Sequence, residues 1–279
     1  MVQAKAAKAK ARIKVGIGGW VFPPWRGVFY PSGLPQAQEL SYASRHVTAI
    51  EINATFYGSQ KPASFRRWYA ETPDDFLFSV KGPRLATVRK VLAEVKPAVD
   101  RFFASGVLEL KDKLGPILWQ FAAFKRFDAG DFAAFLGFLP KEADGIKLRH
   151  VVEVRHESFA TPEFIDLLRG AGVALAFVDG EDCPPHCDVT ADFVYARLER
   201  AVESEPAGYP AKEFQTWAKR FQTWASGAVP DDVTHVHQDQ PDRKGGRDCF
   251  VYFISGAKVR NPAAAQRMLA MLAMLAAQG

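Results

Sequence analysis

Cysteine is scarce in this chain, with 3 in 279 residues. That is too few for a disulfide framework and suits a reducing compartment. No run of about 18 apolar residues could span a bilayer. The opening segment Met1–Lys10 alternates Ala and Lys, without the apolar stretch of about 7–15 residues or the cleavage site of a signal peptide. No Ser/Gly-rich linker divides the chain. A glycine-rich phosphate loop is also missing, because Gly16-Ile-Gly-Gly19 falls on a strand and lacks the spacing. These absences point to a single-domain cytoplasmic protein with no membrane partner.

The 48% hydrophobic and 24% charged residues suit a globular fold. The net charge of +5 would ordinarily suggest nucleic acid. Its distribution argues otherwise. Lys5, Lys8, Lys10, Arg12 and Lys14 are five positive charges with no acid among them, so the rest of the chain is formally neutral. Nucleic-acid binding would have to use this tail or the loop Arg243-Lys-Gly-Gly-Arg247.

Short β-rich runs recur at Ile13–Gly18, Ala49–Asn53, Leu77–Lys81, Ile117–Phe121, Val151–Arg155, Ala174–Asp179, Phe193–Glu199 and Phe250–Ser255. Helical candidates fall at Pro35–Arg45, Pro62–Ala70, Thr87–Phe103, Asp131–Leu139, Pro162–Arg169, Lys212–Ala225 and Pro262–Ala277, while Pro184-Pro185 marks a loop. Eight strands at roughly 33 residues per unit predict an α/β fold, a single (β/α)₈ TIM barrel over residues 13–279. Residues 1–12 are expected to be a short, disordered basic tail. The competitor is a doubly wound open sheet.

Strand alternation then sorts the polar residues. If Ile50 and Ile52 face helices, Glu51 and Asn53 face the barrel interior. The same parity sends Ser79, Lys81, Glu153, Arg155 and Arg197 inward, with Gln120 and Asp179 near strand ends. Three acids (Glu51, Glu153, Asp179) balance three bases (Lys81, Arg155, Arg197). Such a set is either a self-neutralising ion-pair network or a ligand site. Its position at the C-terminal strand ends favours the site.

The segments Gly16-Ile-Gly-Gly-Trp20, Trp25-Arg-Gly27, Phe29-Tyr-Pro31, Glu51-Ile-Asn-Ala-Thr-Phe-Tyr57, Phe78-Ser-Val-Lys81, Leu114-Gly-Pro116 and Glu153-Val-Arg-His156 resemble one known family. It is domain-of-unknown-function family 72, the YecE-like proteins, and the resemblance runs to Val251-Tyr-Phe253. It implies a TIM-type barrel related to the xylose isomerase and endonuclease IV barrels, and no particular reaction. The chain departs from the family pattern at Val88 (histidine in relatives), at Glu199-Arg200 (His-Gly) and at Ile254-Ser255 (Asn-Asn).

The expected chemistry is acid/base work on a small polar or anionic substrate, sugar-like or nucleotide-like. Glu51 and Glu153 are the candidate proton carriers, with Glu51 as donor if it lacks a cationic partner. Lys81 joins them as a catalytic candidate, expected in a salt bridge to Glu51 or Glu153, with its pKa raised by those acids rather than lowered as a Schiff base needs. Asn53, Gln120, Arg155, His156, Asp179 and Arg197 would bind substrate, beneath an aromatic rim of Trp20, Trp25 and Tyr57. No cofactor or metal is assigned. A divalent ion on Glu153, His156 and Asp179 remains an alternative, as does zinc at Cys183-Pro-Pro-His186-Cys187.

Overall fold

The structure is a computed structural model that describes residues 11–181, 183–184 and 186–277. Lys5, Lys8 and Lys10 of the basic segment lie outside the described residues. Eight parallel strands close into a barrel: β1 (Ile13–Gly18), β2 (Ala49–Ile52), β3 (Leu77–Lys81), β4 (Leu114–Gln120), β5 (His150–Glu153), β6 (Ala174–Asp179), β7 (Phe193–Leu198) and β8 (Asp248–Phe253). Each strand pairs with its sequence neighbours, and β8 returns to β1. The expected TIM barrel is therefore the observed fold.

Alternation works as the parity argument requires. Val15, Ile17, Ile50, Ile52, Phe78 and Val80 pack outward into the helix-covered core. Leu77, Leu118, Val151, Tyr195, Phe250 and Tyr252 belong to a second apolar cluster inside the barrel. The N-terminal end is closed by the Arg149 guanidinium, 5.5 Å from the rings of both Phe193 and Phe250 and 2.9 Å from Asp248. Arg12 and Lys14, counted with the tail from sequence, belong to this end. The Arg12 amide donates to Asp248, and the buried Lys14 ammonium donates to the Asp75 carbonyl.

The principal helices are α1 (Glu39–Ala43), α2 (Pro62–Glu71), α3 (Lys96–Ala104), α4 (Ala129–Gly137), α5 (Pro162–Ala171), α6 (Ala211–Ser226) and α7 (Asn261–Ala276). The Thr161 hydroxyl caps α5 and Gly172 ends it in the left-handed conformation, as its flanking sequence suggests. The helix expected over Thr87–Phe103 is broken into Arg84–Thr87, Leu92–Glu94 and α3. Pro97 sits in the first turn of α3, where its missing amide is tolerated, and so marks the start of that helix. Between β6 and β7 the described residues contain no helix. A hairpin pairs Glu142–Ala143 with Ile146–Lys147, turning on Asp144-Gly145, both at positive φ.

Gly16 marks the tightest approach of β1 to its neighbours. A Cβ there would lie 2.1 Å from the Ala49 carbonyl oxygen and 3.1 Å from the Tyr252 ring. Gly16→Ala is expected to cost about 1–3 kcal/mol through overpacking, read as a lowered urea midpoint. An unchanged midpoint would show that β1 and β2 can part without loss.

Candidate functional site

The C-terminal mouth of the barrel is organised by one guanidinium. Arg197 near the end of β7 is 3% exposed and points inward between β2 and β5. Its Nε and Nη2 donate to the two oxygens of Glu51 at 3.2 and 3.3 Å. Its Nη1 donates to Glu153 Oε2 at 2.6 Å and to Glu199 Oε1 at 2.9 Å. A buried charge this well satisfied is tolerable; any one of these groups alone would be costly.

Each carboxylate has a different set of partners. Glu51 also accepts the Tyr195 hydroxyl at 2.7 Å. Glu153 Oε1 accepts from Gln120 Nε2 at 2.7 Å and from Arg155 Nε at 2.9 Å. Burial pushes the Glu153 carboxyl up, but Arg197, Arg155 and Gln120 outweigh it and hold the group below the usual carboxylate range. Glu199 is arranged otherwise. Its Oε1 meets Arg197 and, at 3.5 Å, Arg155, while Oε2 has no hydrogen-bond partner among the described residues. Burial pushes the Glu199 carboxyl up, the charges of Glu153 and Glu51 add to this, and the two arginines compensate only in part.

Glu199 is held in place by its backbone. Its amide donates to the Asp179 carbonyl at the end of β6. Gly256 packs against the Glu199 and Ala201 carbonyls, where a Cβ would come within 2.7 Å of either. The Glu199 side chain lines a cleft of about 540 Å³ together with Arg155, Arg200, Glu181, Glu213 and Ser255. Ser255 has a φ of 59°, a conformation uncommon for a residue with a side chain.

Of the residues expected from sequence, Glu51, Lys81, Gln120, Glu153, Arg155 and Arg197 come together at the mouth. The donor role expected for Glu51 is not favoured, because Arg197 grips both its oxygens. Lys81 makes no ion pair among the described residues. Its ammonium donates to Gln120 Oε1 at 2.6 Å and lies 4.3 Å from the Phe56 ring centre. Gln120 thus stands between Lys81 and Glu153. Burial lowers the Lys81 pKa with help from Arg197 and Arg155, against the upward pull of Glu51 and Glu153. Asn53 sits beside the group, its amide 3.4 Å from the Glu51 carbonyl.

Five other residues lie apart from the network. Asp179 follows the inward Val178, so alternation turns it outward, where it pairs with Arg200 at 3.5 Å. His156 turns back to Ser158 in the loop after β5. Trp25 is fully buried, its indole donating to the Lys258 carbonyl. Trp20 packs edge-on against Trp68, 5.1 Å away. The expected rim is therefore mostly loop core, in which aromatic rings satisfy one another. Tyr57 is the exception at 79% exposed. Sequence reasoning passed over Glu199, yet the signal was there: two residues beyond an inward Arg197, it must face inward too.

Similarity to known proteins agrees with this barrel. The family model described as "Protein of unknown function DUF72" matches residues 14–278. The chain belongs to the DUF72 family. A DUF72 family protein from Thermotoga maritima is 23% identical over 94% of this chain and 99% of its own, with a TM-score of 0.74. One from Enterococcus faecalis is 16% identical over 95% and 98%, with a TM-score of 0.66. A fusion protein of a xylose isomerase-like TIM barrel and 4-hydroxyphenylpyruvate dioxygenase is 15% identical, with a TM-score of 0.51 over 96% of this chain and 44% of that one. At these identities the solved structures establish the fold alone. No curated protein matches the chain.

In this DUF72 chain the residues do not suit the divalent ion considered on Glu153, His156 and Asp179. Glu153, His156 and Asp179 are turned to three different partners, and a guanidinium fills the space between the three converging glutamates. Among the described residues no group of three or more His, Cys, Asp or Glu side chains is arranged for a metal. At the possible zinc motif, burial pushes the Cys183 thiol up to about 11 and Cys187 higher still, which disfavours the thiolates a zinc ion needs. The basic loop offered for nucleic acid is partly structural. Arg247 is buried and donates to the carbonyls of Gly227, Ala228 and Pro241, and Arg243 lies 3.7 Å from Asp192. Among the described residues no helix is long and apolar enough to cross a membrane.

Arg197→Leu would take from Glu51 its one cation among the described residues and from Glu153 one of two. It is expected to cost about 3–5 kcal/mol at pH 7. The pH dependence gives the check. In the native chain the stability from Glu153 is present above the unfolded pKa of about 4.3 and is lost as pH falls through its lower folded value. In the variant the Glu51 carboxyl, left without a cation, prefers the proton, so acidification stabilises the variant. The two unfolding curves should converge as pH falls from 7 toward 4; a gap that stays constant would argue against stranded charge.

Proposed function

We propose that this chain is an enzyme that moves a proton on a small, oxygen-rich substrate in the cleft beside Glu199. The observation that carries the reading is the inequality of the three glutamates. Glu51 and Glu153 have every oxygen taken by arginine, tyrosine or glutamine. Glu199 keeps one oxygen open to the cleft and a carboxyl shifted toward the protonated form. Carboxylates pushed apart in this way divide into a proton carrier and fixed charges. Glu199 donates the proton, and the carboxylate it leaves is stabilised at once by Arg197 Nη1 and Arg155 Nη2.

The cleft also narrows the substrate class. Arg155 and Arg200 line it with Glu181, Glu199 and Glu213, and both arginines are already paired, to Glu153 and Asp179. Such a lining favours a neutral, hydroxyl-rich molecule over a multiply charged anion. Hydrolysis, elimination and isomerisation of sugars or hydroxy acids all fit a single well-placed acid.

The test follows proton NMR of a panel of aldoses, ketoses, glycosides and hydroxy acids incubated with the protein in D₂O. Wild-type protein should turn over or exchange at least one member, and Glu199→Gln should lower that rate by about 10²-fold or more. The wild-type rate should fall as pH rises through the elevated Glu199 pKa, and that limb should vanish in the variant. Glu199→Gln at wild-type rate would remove Glu199 from the mechanism.

A further inference from the structure

A second cleft, of about 450 Å³, opens beside the mouth between the loops that follow β2 and β3. Its chemistry is unlike that of the Glu199 cleft. Buried Phe102 forms its floor, held edge-on against Trp119 at 5.7 Å. Phe56 and Tyr57 make one wall, and Pro83, Leu85 and Val88 line it as well. Tyr57 stands perpendicular to Phe56 with most of its surface in solvent, and Leu85 is 53% exposed.

The charges at this cleft are of one sign. Arg84 and Arg101 line it, and no Asp or Glu does. Neither guanidinium has an ion-pair partner among the described residues. Asp100, next to Arg101 in the chain, is taken by Lys96 at 2.7 Å. Some exposed arginines elsewhere hold an acid, as Arg66 does Glu109 and Arg67 does Glu71, whereas others, such as Arg45 and Arg89, have no ion-pair partner among the described residues. Two unpaired guanidinium groups beside exposed aromatic and aliphatic surface match a ligand with a flat apolar body and an anionic group. The volume lies within the usual range for a small-molecule site.

We propose that this cleft binds a small aromatic anion, with its ring against Tyr57 and Leu85 and its phosphate or carboxylate between Arg84 and Arg101. Nucleoside monophosphates and simple aryl phosphates share this chemistry. The assignment does not rest on acid/base chemistry at Glu199. Phe56 is shared between the two places: its ring lines the cleft and also lies over the Lys81 ammonium. A ligand here would therefore press on the side chain that covers Lys81.

The test is calorimetric titration of the full chain with AMP, phenyl phosphate, adenosine and inorganic phosphate. AMP or phenyl phosphate should bind saturably, and adenosine and phosphate should each bind at least about tenfold more weakly, since each offers half of the recognition. The double variant Arg84→Gln/Arg101→Gln should weaken binding at least about tenfold and Tyr57→Ala at least about threefold, while Glu199→Gln leaves it unchanged. These side chains are exposed, so the variants should keep the wild-type unfolding midpoint. Tighter binding of AMP would assign a nucleotide, and tighter binding of phenyl phosphate a simple aryl anion. No saturation by either probe, or wild-type affinity in the double variant, would overturn the proposal.

Discussion

The buried guanidinium of Arg197 is the constraint on which the barrel mouth depends. It reaches glutamates from β2, from β5 and from just beyond its own strand, all on the interior face. Removing water from so many charges is unfavourable unless nearly every donor and acceptor finds a partner. Tyr195, Gln120 and Arg155 supply the remaining partners, and each takes its place from strand alternation. The apolar layers below, Tyr195 over Tyr252 among them, keep water from entering beneath the network. Electrostatics and packing therefore fix the same geometry.

The barrel was legible in the sequence because each of its signals is local. Eight β-rich runs at near-constant spacing need only a period of two and a count. Inward placement of Glu51, Lys81, Glu153 and Arg197 follows from the same period. Pairing across the barrel was less legible. That Lys81 would meet neutral Gln120 rather than an acid depends on which residues stand adjacent on β3, β4 and β5, and on a shift of register between Phe78 and Val80. Nothing within one strand encodes that.

The misplacements share a physical origin. Trp20 and Trp25 were read as ligand-facing because they sit in a loop after β1, where barrel sites lie. Large aromatic rings in a long loop first satisfy one another, and only a ring with no neighbour to cover it, such as Tyr57, remains exposed. Asp179 was assigned inward from its place at a strand end, against the parity that put Val178 inside. Applied without exception, parity drops Asp179 and adds Glu199, and the tally of three acids against three bases survives the exchange.

That exchange changes what the balance does. Asp179 is also pushed up by burial, but it stands outside the network and is paired with Arg200. With Glu199 the third acid is a carboxyl at the wall of the cleft, pushed up by burial and by the charges of Glu153 and Glu51. Protonation of Glu199 leaves two carboxylates facing three cations, and ionisation restores neutrality. The network can therefore hold either protonation state of Glu199 without leaving a carboxylate unpaired.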